Sequence, residues 1–258
     1  MDNIYKLPDN FLIERELNSE QEAILIEQIN RFNRILSMGR IDNLIMKDDN
    51  GDVFFKEGTI IHGTSYNEDK LKKMADTGIL TGQALGKTED GETFYCADFH
   101  RVANDMSLSE YNNNYKYNDG RCPMGTKLYG QGQIAFVVSP NQINSELLSY
   151  DCYRKGTLCG DITRSFVNVS GLPLEEKLGS SILYGVPSNC FSGIILGDKI
   201  LKDRDKVDFI IKTFPWCYLC SRYGKLIYEP DIEYIDNRDY TEFRRNRILD
   251  EIDMKRVE

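Results

Sequence analysis

Two histidines occur in the chain, and one of them ends the β-branched run Thr59-Ile60-Ile61-His62-Gly63-Thr64. An imidazole at a strand end can donate and accept hydrogen bonds near neutral pH, and a glycine directly after it lets a ligand reach the backbone without meeting a side chain. Further on, Thr93-Phe94-Tyr95-Cys96-Ala97 reads as a short strand that carries Tyr95, an aromatic ring able to stack on a flat ligand. Arg101 lies just past it and offers a fork of donors. Glu175 and Glu176 precede a later β-like run, and Glu233 sits in Ile232-Glu233-Tyr234-Ile235. Each could anchor a hydroxyl or polarise an acceptor, and each is equally readable as a solvated carboxylate. Cys217 and Cys220 make one Cys-x-x-Cys after Pro215-Trp216. A closed zinc site needs four ligands and no second pair or spare His is suitably spaced, so buried thiols are expected there and no metal.

These residues need elements to hold them. Ser19 and Glu22 have the spacing of a capping box, and Ala23, Ile24, Leu25, Ile29, Phe32, Ile35 and Leu36 recur at helical intervals, which predicts a helix ending near Gly39. The turn-rich stretch from Lys47 to Asp52 leads into a hairpin strand, Val53-Phe54-Phe55. After the His62 run comes a charged helix over Asn67 to Ala75, closing at Gly78. The Tyr95 strand is expected to pass into a helix from Asp98 to about Leu108. Residues 109–132 are the least patterned, interleaving Tyr111, Tyr115, Tyr117 and Tyr129 with Lys116, Arg121 and Lys127. Such a loop could clamp single-stranded nucleic acid, dock a protein or form a solvated surface. Strands are expected at Gln133 to Ser139, Ser181 to Val186 and Gly193 to Leu196, and helices at Lys206 to Phe214 and Tyr240 to Val257. The fold class is α+β, in one domain over 1–258: an N-terminal helical extension (1–45), a core (46–200) and a C-terminal helical extension (201–258).

The composition sets outer bounds. With 41% hydrophobic and 28% charged residues the 258-residue chain has enough apolar material for a core. Against 32 Lys and Arg stand 41 Asp and Glu, a formal charge of −9, which opposes broad electrostatic binding to DNA or anionic membrane but leaves room for a local cationic groove. The basic cluster Arg244-Arg245 and Arg247 is offset by Glu242, Asp250, Glu251 and Asp253 and reads as an ion-paired helix face. The apolar runs are too short to span a bilayer, no signal peptide is apparent, and seven scattered cysteines without an export signal suggest reduced thiols, so a cytoplasmic protein is expected.

The ordered set His62-Gly63-Thr64, then Gly78-Ile79-Leu80, then Tyr95-Cys96-Ala97-Asp98 and Ala103-Asn104, resembles the NAD-binding half of the ADP-ribosyltransferase superfamily, closest to its poly(ADP-ribose) polymerase and diphtheria-toxin branch. The resemblance covers residues 62–104. It implies a split, twisted β core that binds NAD as substrate. His62 would hydrogen-bond ribose hydroxyls, with Gly63 and Thr64 beside the cofactor. The Gly63 backbone would pair with the carboxamide, and Tyr95 would stack on the nicotinamide. Arg101 would bind the diphosphate or assist transfer to a base. The family's catalytic Glu would fall at Ser180 or Ser181, a departure that argues against polymer formation and makes Glu176, or Glu175, the substitute. The implied activity is mono-ADP-ribosyl transfer to a macromolecule, single-stranded nucleic acid or protein, by a toxin or effector that could require an antitoxin. The alternatives are a catalytically inactive binding module and an RNA 2′-phosphotransferase, the latter lacking its extra His and Arg motifs here.

Overall fold

Ile60, Ile134, Phe136, Val138, Ile194 and Leu196 pack into one buried cluster, and Ile61, Ala135, Val137 and Ile195 into another. Sequence neighbours therefore point to opposite faces, as in strands covered on both sides. The computed structural model, which describes residues 19–37, 46–80, 96–102, 104–115, 133–138, 149–150 and 179–230, shows the sheet that this pattern builds. In chain order the elements are α1 (Ser19–Ser37), β1 (Phe54–Phe55), β2 (Ile60–Ser65), α2 (Glu68–Asp76), β3 (Gly78–Leu80), β4 (Cys96–Arg101), β5 (Met106–Ser107) and α3 (Leu108–Tyr115). There follow β6 (Gln133–Val138), β7 (Ser149–Tyr150), β8 (Gly179–Leu183), β9 (Gly185–Pro187), a 3₁₀ turn at Ser188–Cys190, β10 (Phe191–Leu196), α4 (Asp198–Leu201), α5 (Arg204–Thr213), β11 (Tyr218–Ser221) and β12 (Leu226–Tyr228).

Among the described residues the main sheet runs β12-β11-β10-β6-β2-β4-β8-β7, with β1-β5 and β3-β9 as separate antiparallel pairs. Only β10 and β11 are parallel, joined by a crossover through α4 and α5, so the sheet is mixed and the protein is α+β. One face is covered by helices. α2 contributes Leu71, Met74 and Ala75, and α5 contributes Val207, Ile210 and Ile211, each set on one helical face. Each helix starts at a side chain that accepts a backbone N–H: Asn67 from Lys70 at 2.9 Å and Asp203 from Lys206 at 3.3 Å. The other face is covered by Val53 and β1, by β5 and by α3, through Val53, Phe55, Met106, Leu108 and Tyr111.

The helix expected from Asn18-Ser19 forms, but it is part of the core rather than an extension. Leu25, Ile29, Phe32 and Leu36 are buried, Phe32 meets Tyr184 edge to face at 5.1 Å, and Asn189 Nδ2 donates to the Ile35 carbonyl at 2.5 Å. Other expectations are corrected. Residues 98–101 continue a strand instead of starting a helix, because they pair with β8 on one side and β2 on the other. Gly78 opens β3 as well as ending α2; with a φ of +125° it lies so close to the Val186 carbonyl that a Cβ would sit 2.0 Å from that oxygen. The run Ser181 to Val186 is broken at Tyr184 (φ +69°) and Gly185 (φ +147°), where the chain leaves the main sheet. Its two halves are not neighbours of β10, which lies between β6 and β11. Within 201–258, residues 218–221 and 226–228 form strands, so this region completes the sheet instead of adding only helices. The expected helix over Tyr240 to Val257 lies outside the described residues.

Candidate functional site

His62 stands inside β2 and not at its end, since β2 runs through Ser65 and pairs with β6 over its whole length, His62 against Phe136, Gly63 against Ala135 and Thr64 against Ile134. On its other edge β2 behaves differently. Its register with β4 consists of Ile60↔Arg101 and Ile61↔His100, extended at the base by the Val102 N–H donating to the Thr59 carbonyl at 2.8 Å. Beyond Ile61 no further β2–β4 pairing forms among the described residues. Strand peptide groups alternate between the two edges. Because Thr59 faces β4, Ile61 and Gly63 turn their N–H and C=O to the same edge, and His62 and Thr64 turn theirs to β6. The Gly63 peptide is thus directed at the place where the two parts of the sheet stop pairing, without a Cβ to obstruct it.

The side chains here lie on the helix-covered face. His62 is half-buried, and its ring lies against Phe99 of β4, with centroids 5.3 Å apart and planes tilted by 53°. Phe99 is 4% exposed and belongs to the core cluster, so one wall of the imidazole is fixed by packing. Thr64, two residues on and on the same face, is buried, and its hydroxyl accepts a hydrogen bond from the Lys70 ammonium in the first turns of α2. The connection from β2 to α2 passes Tyr66, whose hydroxyl donates to Glu68 at 3.2 Å and whose ring meets Phe209 of α5 at 6.1 Å. Burial, then the bond to Glu68, pushes the Tyr66 phenol well above its usual range, so it stays protonated. Lys206 lies over the Tyr66 ring and Lys72 over Phe209, at 5.6 and 5.5 Å from the centroids. The end of β2 therefore brings together an imidazole, a backbone edge that has no β4 partner among the described residues, a hydroxyl and an ammonium.

Comparison of the chain with family models, curated proteins and solved structures gives no match.

Of the residues expected from sequence, the structure brings together His62, Gly63 and Thr64. Arg101 is the last residue of β4, in register with Ile60 and two positions from Phe99, rather than in a helix after the strand. Tyr95, Glu175, Glu176 and Glu233 lie outside the described residues, as do Tyr117, Tyr129, Lys116, Arg121 and Lys127. Ser180 and Ser181, where a carboxylate was expected, are on β8 in register with Phe99 and Asp98 of β4. Tyr111 must be removed from the set of aromatics available to nucleic acid. It is fully buried on α3 and packs edge to face on Phe55 at 5.9 Å, because α3 begins inside the stretch read as unpatterned. Cys217 and Cys220 are buried thiols, as expected, and Trp216 is buried beside them. They fall in separate core clusters, Cys217 just before β11 and Cys220 within it. Phe99 and Lys70 were missed. Phe99 carried a signal in its alternation with Ala97 and Tyr95, had the strand been extended. For Lys70 the one signal was its place three residues after the Asn67 cap.

Proposed function

We propose that the chain is an NAD-dependent mono-ADP-ribosyltransferase, in which the end of β2 holds the dinucleotide and nicotinamide is the leaving group. The observation that carries this reading is that, among the described residues, β2–β4 pairing ends one residue before His62, which leaves the Gly63 peptide on that edge without a β4 partner, while the His62 ring lies against Phe99. A backbone N–H and C=O side by side match the donor and acceptor of a carboxamide. The imidazole beside them can hold ribose hydroxyls. In the proposed reaction the bond between nicotinamide nitrogen and ribose C1′ breaks with its electron pair going to nitrogen. A bond forms from an acceptor oxygen or nitrogen to C1′, and the acceptor proton passes to a carboxylate or to water. The chain's contribution is mainly positioning and stabilisation of the cationic sugar. Tyr95 is assigned the face of the nicotinamide ring, Arg101 the diphosphate or a target base, and Glu176 the carboxylate. The acceptor is a nucleic acid or a protein, and an enzyme that marks its own cell's macromolecules would need an antitoxin-like partner.

One observation favours a second reading. β8, the strand against β4, is Gly-Ser-Ser-Ile-Leu and supplies no carboxylate at the register of Phe99. In that case the end of β2 binds NAD or ADP-ribose without turnover. The test is incubation of the full chain with NAD labelled in its adenylate half and a total cell lysate. Label made acid-precipitable, and then released by nuclease or by protease, supports transfer and names the acceptor class. Binding without transfer supports the second reading, and neither binding nor transfer overturns both.

A further inference from the structure

Among the described residues, the stretch of β2 that carries the site is paired on one edge only. Past Ile61 it keeps β6 and loses β4. Gly63, in the middle of the stretch, has no side chain to restrict its backbone. A strand held by fewer bonds opens more easily, so a peptide presented from it is well aimed only if the strand is fixed at both ends. At the near end Ile61 pairs with His100. At the far end β2 stops at Ser65, and Tyr66 with Asn67 makes the whole connection to α2. Tyr66 is gripped there by three contacts. Its ring meets Phe209 of α5 at 6.1 Å with the planes at 72°, the Lys206 ammonium lies 5.6 Å from its centroid, and its hydroxyl donates to Glu68 at 3.2 Å. Phe209 and Lys206 are three residues apart on α5 and so share one side of the helix. Lys206 is itself fixed in the first turn, where Asp203 accepts its backbone N–H at 3.3 Å and pairs with its ammonium at 2.6 Å. The seat is firm, because Val207, Ile210 and Ile211 bury the core side of the same helix. Tyr66 and Phe209 are half-buried at the margin of that core, so their contact fixes the connection more than it adds to apolar burial.

We propose that Tyr66 is a positioning residue of this site: seated between Phe209 and Lys206 of α5, its ring fixes the exit of β2 and with it the direction of the Gly63 peptide. The choice of NAD as ligand rests on the reading above; the positioning of the strand does not. The experiment uses the full chain as wild type, Tyr66→Leu, Tyr66→Phe and Phe209→Leu, with Ile29→Val, a core substitution on α1, as the control for lost stability. Proton–nitrogen spectra with amide exchange follow the strand, and calorimetry gives the affinity for NAD. In Tyr66→Leu the Gly63 and Ser65 amides should shift and exchange faster, while the His62 and Thr64 amides, which face β6, keep their protection. NAD affinity should fall about 10-fold, the ring and cation contacts being lost together. Tyr66→Phe keeps the ring and should stay within about 3-fold of wild type. Phe209→Leu removes the seat from the other side and should act in the same direction as Tyr66→Leu, and the double variant should lose less than the two single losses combined. Ile29→Val should leave the Gly63 and Ser65 signals and the NAD affinity at wild-type values. If Tyr66→Leu and Phe209→Leu lower Tm but do the same, Tyr66 is structural only and the assignment is wrong while the NAD reading stands. If the wild type binds no NAD, that reading falls, and the Gly63 and Ser65 amides alone decide whether Tyr66 fixes the strand.

Discussion

Replacing Phe99 by leucine tests whether the wall beside His62 matters to the site or only to the core. Phe99 is 4% exposed within the helix-side cluster, and its ring lies 5.3 Å from the imidazole centroid. Leucine keeps most of the apolar volume, so the packing cost should stay below about 1.5 kcal/mol. The lost ring contact adds about 0.5–1.5 kcal/mol. The sum is about 2 kcal/mol, or about 4–8 °C in Tm for a chain of this size. If the same contact orients the imidazole for ligand, up to its full value is also lost from binding, and NAD affinity should fall about 2- to 12-fold. Calorimetry gives the affinity and thermal unfolding the stability. With two histidines in the chain, the imidazole signals in a proton–nitrogen spectrum are assigned by a single His62→Gln variant. The His62 signal should move in Phe99→Leu because the ring current is gone. A variant that loses stability as expected while the His62 signal and NAD affinity stay at wild-type values would refute the argument that Phe99 positions His62.

Three further outcomes follow from the fold. A Cβ at Gly193 would lie 2.2 Å from Tyr218 Cζ and 2.4 Å from both Cε atoms, so Gly193→Ala should cost about 1–3 kcal/mol by overpacking, and adding Tyr218→Val should recover part of it; additive Tm losses would contradict this. Cys190, Cys217 and Cys220 are buried, and burial pushes the Cys190 thiol up to about 12 and the Cys220 thiol higher still, so mass spectrometry after alkylation at mildly alkaline pH should find these three unmodified until the chain is unfolded. The Glu57 N–H at 2.8 Å and then the Lys56 ammonium at 3.0 Å hold the Asp105 carboxyl below its ordinary range. A carboxyl lowered in the folded state stabilises above its unfolded value and loses that contribution as pH falls through the folded one, so the Tm gap between wild type and Asp105→Asn should narrow below about pH 4. A gap constant across acid pH would contradict it.

The parts of this structure that could be read from the sequence are those whose apolar spacing is unambiguous. The set Leu25, Ile29, Phe32 and Leu36 marks α1, Val207, Ile210 and Ile211 mark α5, and Ile134 to Val138 mark β6. Strand β4 was harder, because Asp98-Phe99-His100-Arg101 holds one apolar residue among polar ones, too little periodicity to separate a strand from a helix start, and its pairing with both β2 and β8 is decided by tertiary contacts. The burial of Tyr111 has the same origin: a stretch rich in Asn and Tyr has little helical signature, and α3 is held by contact with Phe55. The strands β11 and β12 are short and lie beside Pro215 and Gly224, residues that ordinarily mark turns. At the site, the His62-Gly63-Thr64 motif was visible as residue types. Its useful property, that β2 loses its β4 partner just before His62, depends on register between distant segments, which local periodicity does not encode. Lys70 likewise reaches Thr64 through a turn geometry that spacing alone does not specify.

The central claim is most directly tested by mixing the full chain with NAD carrying a label in the nicotinamide ring, with nucleic acid and protein acceptors supplied in turn, and measuring free nicotinamide against an equal sample of His62→Ala. The expected result is acceptor-dependent nicotinamide release by the wild type, reduced at least about 100-fold in His62→Ala, as for loss of a group that orients substrate. Equal release by both proteins, or NAD bound by the wild type and recovered intact with every acceptor, would contradict the transferase account.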